Sequence, residues 1–381
     1  MGKHLVLVGG GHAHLTALKN LSSFIKLGHR VTLIGPSRFH YYSGMGPGML
    51  SGIYPPWEVR FHVKKLAEDQ GATFIKDKVI RVDPGQHLLL LSSGAHLSYD
   101  VVSFNIGSDV PLGSLMATPN ENVFAVKPVV NLLKARRLIL DAIRSNGLLR
   151  YLVIGGGAAG LEITANFWRL LREKKGKSSI TVIGGKRLLG DGPEKLRRLA
   201  LASLTGRGVQ VIEGSHVKGI DDGLVTLSDG RTFGFDLALV AIGIRPPSIF
   251  RDSGLPTGPD GGLLVNAHLQ CVADPNIFGG GDCISLEGYA LAKVGVYAVR
   301  ENPVLYHNLL AAVEGGSMIT FRPQKHYLLI FNLGNGRGIF WKKDWVFENR
   351  FAFTLKDYID RSFMRKFQVS GERKERSEEI E

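Results

Sequence analysis

The sequence predicts an α/β protein that carries two copies of one β-α-β domain. Three observations support this. An apolar run ending in clustered glycines occurs twice, as LVLVGGGHAHL at 5–15 and YLVIGGGAAGL at 151–161. A second matched pair follows, DVVSFNIGSDVP at 100–111 and DLALVAIGIRPP at 236–247. Glycine is also abundant, at 48 of 381 residues against about 7% in an average chain, with no Gly-X-Y period.

Each element follows from local pattern. Leu5–Val8 and Leu152–Ile154 are short apolar runs bounded by glycine, as buried parallel strands are. The first helix continues through Thr16, Ala17, Leu18 and Leu21. The second continues through Ile163, Phe167, Leu170 and Leu171, spaced by about one turn. Arg30–Ile34 and Ile180–Ile183 then read as second strands. This is the Rossmann unit, twice.

The glycine loops carry the binding chemistry. Gly155, Gly157 and Gly160 complete a G-x-G-x-x-G in the second copy. The first glycine makes a tight turn, the second admits a pyrophosphate to the backbone, and the third lets helix and strand pack closely. Free N–H groups at the helix start favour phosphate. The first copy keeps Gly9 and Gly11 but has His14 in third place. His14 is read as filling a roomier helix–strand contact, with a role for His12 or His14 near a phosphate as the alternative. Neither copy ends its second strand with the acid that holds a ribose 2′-OH. In the second copy Lys186 and Arg187 follow instead, which favours a 2′-phosphate and therefore NADPH. A solvated basic turn, or a second copy that no longer binds nicotinamide, stays open.

A late segment, DPNIFGGGDC at 274–283, runs a strand at 276–278 into Gly281-Asp282, where an acid can reach a ribityl or ribose hydroxyl. A helical stretch from about 294 to 310 follows. With these motifs in order over residues 4–320, the chain resembles the two-dinucleotide-binding flavoproteins of the pyridine nucleotide–disulfide oxidoreductase type. GGGHAH at 9–14, YYSGMGPGMLSGIY at 41–54, KVGVYAVRENPVLYHNL at 293–309 and DYIDRSFMRKFQ at 357–368 are similar to the flavoprotein domain associated with selenide water dikinase. That group is related to type II NADH dehydrogenases and shares the histidine in third place. The resemblance implies FAD held by the first copy and the Gly-Asp segment, and NAD(P)H held by the second copy. Gly9, Gly11, His12, Ser43, Gly107, Gly281 and Asp282 would then serve FAD. Gly155, Gly157, Gly160, Lys186, Arg187 and Gly243 would serve NAD(P)H. The implied division is an FAD domain at 1–115 and 249–320, an inserted NAD(P)H domain at 116–248, a C-terminal hairpin and helix at 321–370, and a disordered tail at 371–381.

Missing residues narrow the activity. A disulfide reductase needs a close cysteine pair beside the flavin. The corresponding loop, Ser43 to Gly48, has none, and Cys271 and Cys283 lie late and apart. Two cysteines also exclude a disulfide framework and a zinc site of their own, so no metal is expected. The glutamine of the type II dehydrogenase quinone segment is absent from 290–297. Lys293 there is a candidate for stabilising a reduced flavin or an acceptor oxyanion, against a lysine capping a surface turn. Glu162 resembles the family's acid between flavin and nicotinamide, against a helix-start acid favoured by the dipole.

The expected activity is transfer of electrons from NAD(P)H through FAD to a non-disulfide acceptor, first of all a quinone. The alternatives are a selenium- or sulfur-linked flavin oxidoreductase and an FAD protein that has lost nicotinamide. Lys and Arg exceed Asp and Glu by 13, but the charge is scattered and no nucleic-acid module is present. Near the C-terminus a hairpin turns at Asn335-Gly336. Residues 355–368 then read as an amphipathic helix, with Leu355, Tyr358, Ile359, Phe363, Met364 and Phe367 on one face and Lys356, Arg361, Arg365 and Lys366 supplying charge. Such a helix suits a membrane surface, a cap on the FAD domain or a homodimer contact. The uncharged stretch 39–57 is too rich in Gly and Pro to span a bilayer, and no signal peptide is read at the start, so the expected location is cytoplasmic or peripheral on the inner membrane face.

Overall fold

Two five-stranded parallel sheets form the body of the protein, seen in a computed structural model that describes residues 2–116, 118–145 and 149–374. The first sheet runs in the order 277–279, 101–104, 4–8, 30–35 and 73–76. The second runs 123–125, 237–240, 149–154, 178–183 and 210–212. Register agrees between the copies: Val8 pairs with Ile34 and Phe104, and Ile154 pairs with Ile183 and Val240. The edge strands show how the units interlock. Val123–Ala125 enters the second sheet directly after the first unit, and Ile277–Gly279 returns to the first sheet beside Val101–Phe104.

The strands are apolar because both faces are covered. Leu5, Val6, Leu7, Val102, Val153, Leu239 and Val240 are fully buried, and each contributes about 1.5–3 kcal/mol of burial. Helices Ala158–Glu173 and Gly295–Glu314 follow the second glycine loop and the Gly-Asp segment. The first glycine loop differs from the single helix expected there. A 3-10 turn at His12–His14 leads into Leu15–Lys19 and then Leu21–Lys26.

The duplication extends further than the sequence motifs. Each copy inserts a three-stranded antiparallel meander, at 79–83, 88–91 and 96–98 and at 217–221, 224–227 and 232–234. The register shifts in the first strand of each, between Val79 and Arg81 and between Val217 and Gly219.

The C-terminal region is a three-stranded antiparallel sheet, Leu329–Asn332, Gly338–Lys342 and Trp345–Asn349, followed by helix Arg350–Phe367. The third strand extends the hairpin that the sequence predicts at Asn335-Gly336. The helix faces also need correction. Its inward stripe is Ala352, Lys356, Asp360, Met364 and Phe367, while Phe351, Tyr358 and Ile359 point outward. The disorder expected from residue 371 does not extend to Glu372, which is buried and accepts the Ser370 and His62 N–H groups. The rest of that tail, 375–381, lies outside the described residues. Among the described residues no helix is long and apolar enough to cross a membrane.

Candidate active site

One cleft of about 2430 Å³ runs between the units and touches both glycine loops, both Ile-Gly segments, Gly281-Asp282, Lys293 and the C-terminal helix. Its floor is built twice by the same device. Gly9 has φ +87°, and a Cβ there would lie 2.3 Å from the Asn105 carbonyl oxygen. Gly155 has φ +145°, and a Cβ there would lie 2.3 Å from the Ala241 carbonyl oxygen. No side chain fits at either position.

The third loop position solves one packing problem in two ways. Gly160 sits so close that a Cβ would lie 1.9 Å from the Gly155 carbonyl oxygen. In the first copy the fully buried His14 reaches the corresponding carbonyl of Gly9 through Nδ1 at 2.6 Å. Its Nε2 is 2.8 Å from Ser103 Oγ. Because a carbonyl only accepts, the proton sits on Nδ1 and the serine hydroxyl donates to Nε2. Burial pushes the His14 pKa down to about 4, so the ring is neutral. This is the packing role expected from the sequence, and it makes the histidine a substitute for the third glycine.

Asn105 was missed by the sequence reading. It donates through Nδ2 to the Gly280 carbonyl at 2.5 Å. Its Oδ1 would lie 1.6 Å from a Cβ at Gly11, so Gly11 is required by this neighbour. Asn105 thus ties the first glycine loop to the Gly-Asp segment. Its only sequence signal was its place just before Ile106-Gly107. Glu301, also missed, is buried on the following helix and accepts the Gly281 N–H at 2.5 Å. Burial pushes its pKa up to about 7.

Around Asp282 the structure adds a cation. Lys127 Nζ lies 2.5 Å from Asp282 Oδ2 and donates to Ser108 Oγ at 2.9 Å. Ser108 in turn donates to Asp282 at 2.8 Å. His12 lines the cleft beside this group, edge-on to His40 at 4.9 Å and Tyr42 at 5.3 Å. Burial, then Lys127, lowers the His12 pKa to about 4. Burial, His12 and Lys127 lower that of His40 to about 3.

Lys293 reaches the cleft wall, but its ammonium is engaged by Asp260 Oδ2 at 2.6 Å and by the Ile284 carbonyl. Glu162 is held where helix 158–173 meets the C-terminal sheet, accepting the Asn332 N–H at 2.7 Å. Beside it lies a buried cluster whose lysine, Lys356, the sequence reading counted among the helix's exposed charges. Lys356 Nζ pairs with Asp360 Oδ2 at 2.8 Å and donates to the Gly44 carbonyl at 2.8 Å. Tyr42 donates its hydroxyl to Asp360 Oδ1 at 3.1 Å. Burial raises the Glu162 pKa, opposed by Lys356 and by the Asn332 N–H. For Lys356 burial acts downward, but Asp360 and Glu162 outweigh it and the net shift is upward. The i, i+4 spacing of 356 and 360 was the available signal, hidden by counting Lys356 among the charges of the polar face.

At the other end of the cleft, Gly184 closes the second strand where a ribose-binding acid was expected. Lys186 is exposed, and Arg187 is paired with Glu194. The nearest acid, Glu213, is taken up by the Leu188 N–H and by Arg197, each at 2.6 Å. Cys271 and Cys283 are buried and unpaired, and burial pushes the Cys283 thiol up to about 12. Among the described residues no group of His, Cys, Asp or Glu is arranged to hold a metal ion.

Paired nucleotide-type sheets around one cleft define a two-dinucleotide-binding oxidoreductase. The family model described as pyridine nucleotide-disulphide oxidoreductase matches residues 3–307, and the chain belongs to that family. Its cofactors are FAD and NAD(P)H. The chain is 26% identical to ferroptosis suppressor protein 1 of Taeniopygia guttata over 87% of this chain and 86% of that one. It is 25% identical to demethylphylloquinone reductase NdbB of Synechocystis over 84% and 82%. In fold it is similar to NDH2 from Plasmodium falciparum, solved in complex with NADH, at 14% identity, 99% coverage of both chains and a TM-score of 0.81. It is also similar to the sulfide:quinone oxidoreductase of Aquifex aeolicus, at 18% identity, 97% and 92% coverage and a TM-score of 0.79.

The cleft suits these cofactors on its own terms. A Cβ at Gly107, Gly157 or Gly243 would meet nothing within 4 Å, so backbone there is open to a ligand. His12 and His40 also hold buried Nε2 atoms without a partner, and such atoms are satisfied in functioning proteins.

Proposed function

We propose that this protein is an FAD-dependent NAD(P)H:quinone oxidoreductase. The observation that carries the reading is one cysteine-free cleft, which joins both glycine loops and reaches the Glu162–Lys356–Asp360 cluster at the C-terminal helix. The quinone follows from the relatives' names and from the inert, buried state of both cysteines. Bound FAD would supply hydride acceptance from NAD(P)H and delivery of two electrons onward.

The chain's own residues bind and orient. Gly9, Gly11, His12, Ser43, Gly107, Gly281 and Asp282 hold FAD across residues 1–115 and 249–320. Gly155, Gly157, Gly160 and Gly243 hold the pyridine nucleotide within 116–248, and Lys186 and Arg187 receive a 2′-phosphate. Glu162, fixed by Asn332, positions the nicotinamide. Lys293, fixed by Asp260, sets the charge beside the flavin. Lys356, paired with Asp360, places a cation at the acceptor end. Trp345, Phe351 and Tyr358, each more than 60% exposed, face a membrane surface from which a lipid-soluble acceptor is drawn.

An anaerobic titration with NADPH and then NADH tests the reading. Loss of the flavin visible band, restored by added quinone, is the expected result. A protein whose FAD is bleached by dithionite but by neither nucleotide would overturn it.

A further inference from the structure

We infer that His216 is a determinant of preference for NADPH over NADH, a third basic residue that joins Lys186 and Arg187 around the 2′-phosphate. The inference rests on the reading that the second glycine loop holds a pyridine nucleotide.

The duplication points to this residue. Ser92 N–H bonds to the Lys78 carbonyl and Ser228 N–H bonds to the His216 carbonyl, each at 2.8 Å. Lys78 and His216 each stand just before the valine that opens a meander, Val79 or Val217. They are therefore equivalent positions, and both line the cleft. The residue before each one differs. In the first copy it is Asp77, which also lines the cleft and accepts the Lys78 N–H and the Ser92 hydroxyl. In the second copy it is the buried Ser215, whose hydroxyl lies 2.8 Å from Ser228 Oγ. A base beside an acid suits a sugar hydroxyl, whereas a base without that acid suits a phosphate.

His216 also lies against the turn that lacks the ribose-binding acid. Gly185 has φ +68°, and a Cβ there would lie 3.2 Å from His216 Nδ1. Two contacts tie the segment 213–216 to that turn: Gly214 N–H reaches the Lys186 carbonyl at 3.3 Å, and Leu188 N–H reaches Glu213 at 2.6 Å. Of the acids in these loops, Glu194 pairs with Arg187, Glu213 is held by Arg197, and Asp191 lies beyond Arg187 on the cleft wall. Arg187 therefore shares its charge, and Lys186 is a flexible exposed cation. An imidazole N–H on a main chain fixed at Ser228 adds a directed donor. NADPH and NADH differ only in the phosphate that this donor meets, so the effect falls on binding and not on hydride transfer.

The test is calorimetric binding of two probes to the FAD-loaded protein, adenosine 2′,5′-bisphosphate and adenosine 5′-monophosphate, which differ only in the 2′-phosphate. His216→Gln should weaken the bisphosphate by about fivefold or more and the monophosphate by less than about twofold. In steady-state kinetics kcat/KM for NADPH should fall by a similar factor through KM, with kcat for NADPH held and kcat/KM for NADH moved by less than about twofold. His216→Lys should restore most of the bisphosphate affinity. Wild-type protein that binds the two probes equally would overturn the inference. So would equal losses for both probes in His216→Gln, a loss for neither, or a lysine variant as weak as the glutamine one. Flavin that neither NADPH nor NADH reduces would instead remove the functional reading beneath, while the difference between the two probes still decides the role of His216.

Discussion

Asp109 and Arg245 exchange two backbone hydrogen bonds, from Asp109 N to Arg245 O at 2.8 Å and from Arg245 N to Asp109 O at 2.9 Å. They are equivalent residues of the two copies, each two positions after the glycine of its Ile-Gly segment. The duplicated halves therefore meet through their own matching strand ends, as an isolated antiparallel bridge. This contact fixes the open glycines Gly107 and Gly243 on facing sides of one cleft.

Breaking the bridge should uncouple the units before it unfolds them. Asp109→Pro removes one donor at an exposed site, a loss of about 1 kcal/mol in stability. The expected outcome is retained FAD with flavin reduction by NAD(P)H slowed about tenfold or more, because a misplaced unit loses reactive alignment. Stopped-flow reduction beside a thermal melt checks both.

Acid should destabilise the first glycine loop. The pKa values of His12, His14 and His40 are lowered to about 4, 4 and 3, below the ordinary histidine value. The unfolded chain therefore binds more protons than the folded one as pH falls from about 6.5 towards 4, and stability falls with it. Each ring contributes up to about 1.4 kcal/mol per pH unit in that window. Denaturant midpoints of apoprotein at pH 7, 6 and 5 measure the slope (from about 7 to about 5). His14→Gly, which recreates the usual motif, should lose about 2–4 kcal/mol, because no neighbour replaces the ring or its two hydrogen bonds.

The buried Glu162–Lys356–Asp360 cluster separates positioning from folding. Glu162→Gln keeps the hydrogen bond from Asn332 and should leave FAD content and stability unchanged while slowing turnover about 10²-fold. Lys356→Met leaves Asp360 and Glu162 without their cation and should cost about 3–5 kcal/mol. Double substitution of Lys356→Met with Asp360→Leu should regain much of that loss. Chemical denaturation and steady-state quinone reduction distinguish the two effects.

Coenzyme preference should reside in an exposed residue. Lys186→Glu places an acid two residues beyond Gly184 and should lower kcat/KM for NADPH about tenfold or more while sparing NADH. Paired kinetics with the two donors check it. An equal loss for both would place the phosphate elsewhere.

Duplication, the two parallel sheets, the glycine loops and the cofactor class were legible in the residues, because tight turns and backbone approach demand glycine at fixed spacing next to apolar runs. The same local logic identified His14 as a packing residue. Other relationships required the tertiary structure. Lys127 meets Asp282 across 155 positions, Asn105 meets Gly280 across 175, and Asn332 meets Glu162 across 170. No periodicity reports such pairs, since they depend on how one unit is set into the other. The C-terminal helix shows the limit most directly. Its pattern identified a helix, but Lys356 read as a solvent charge and Asp360 carried no reading until the Gly44 carbonyl and the Tyr42 hydroxyl were brought against them. Local sequence determined the turns, strands and loops. Burial decided which charged side chains became part of the site, because a buried charge is retained only where distant partners compensate it.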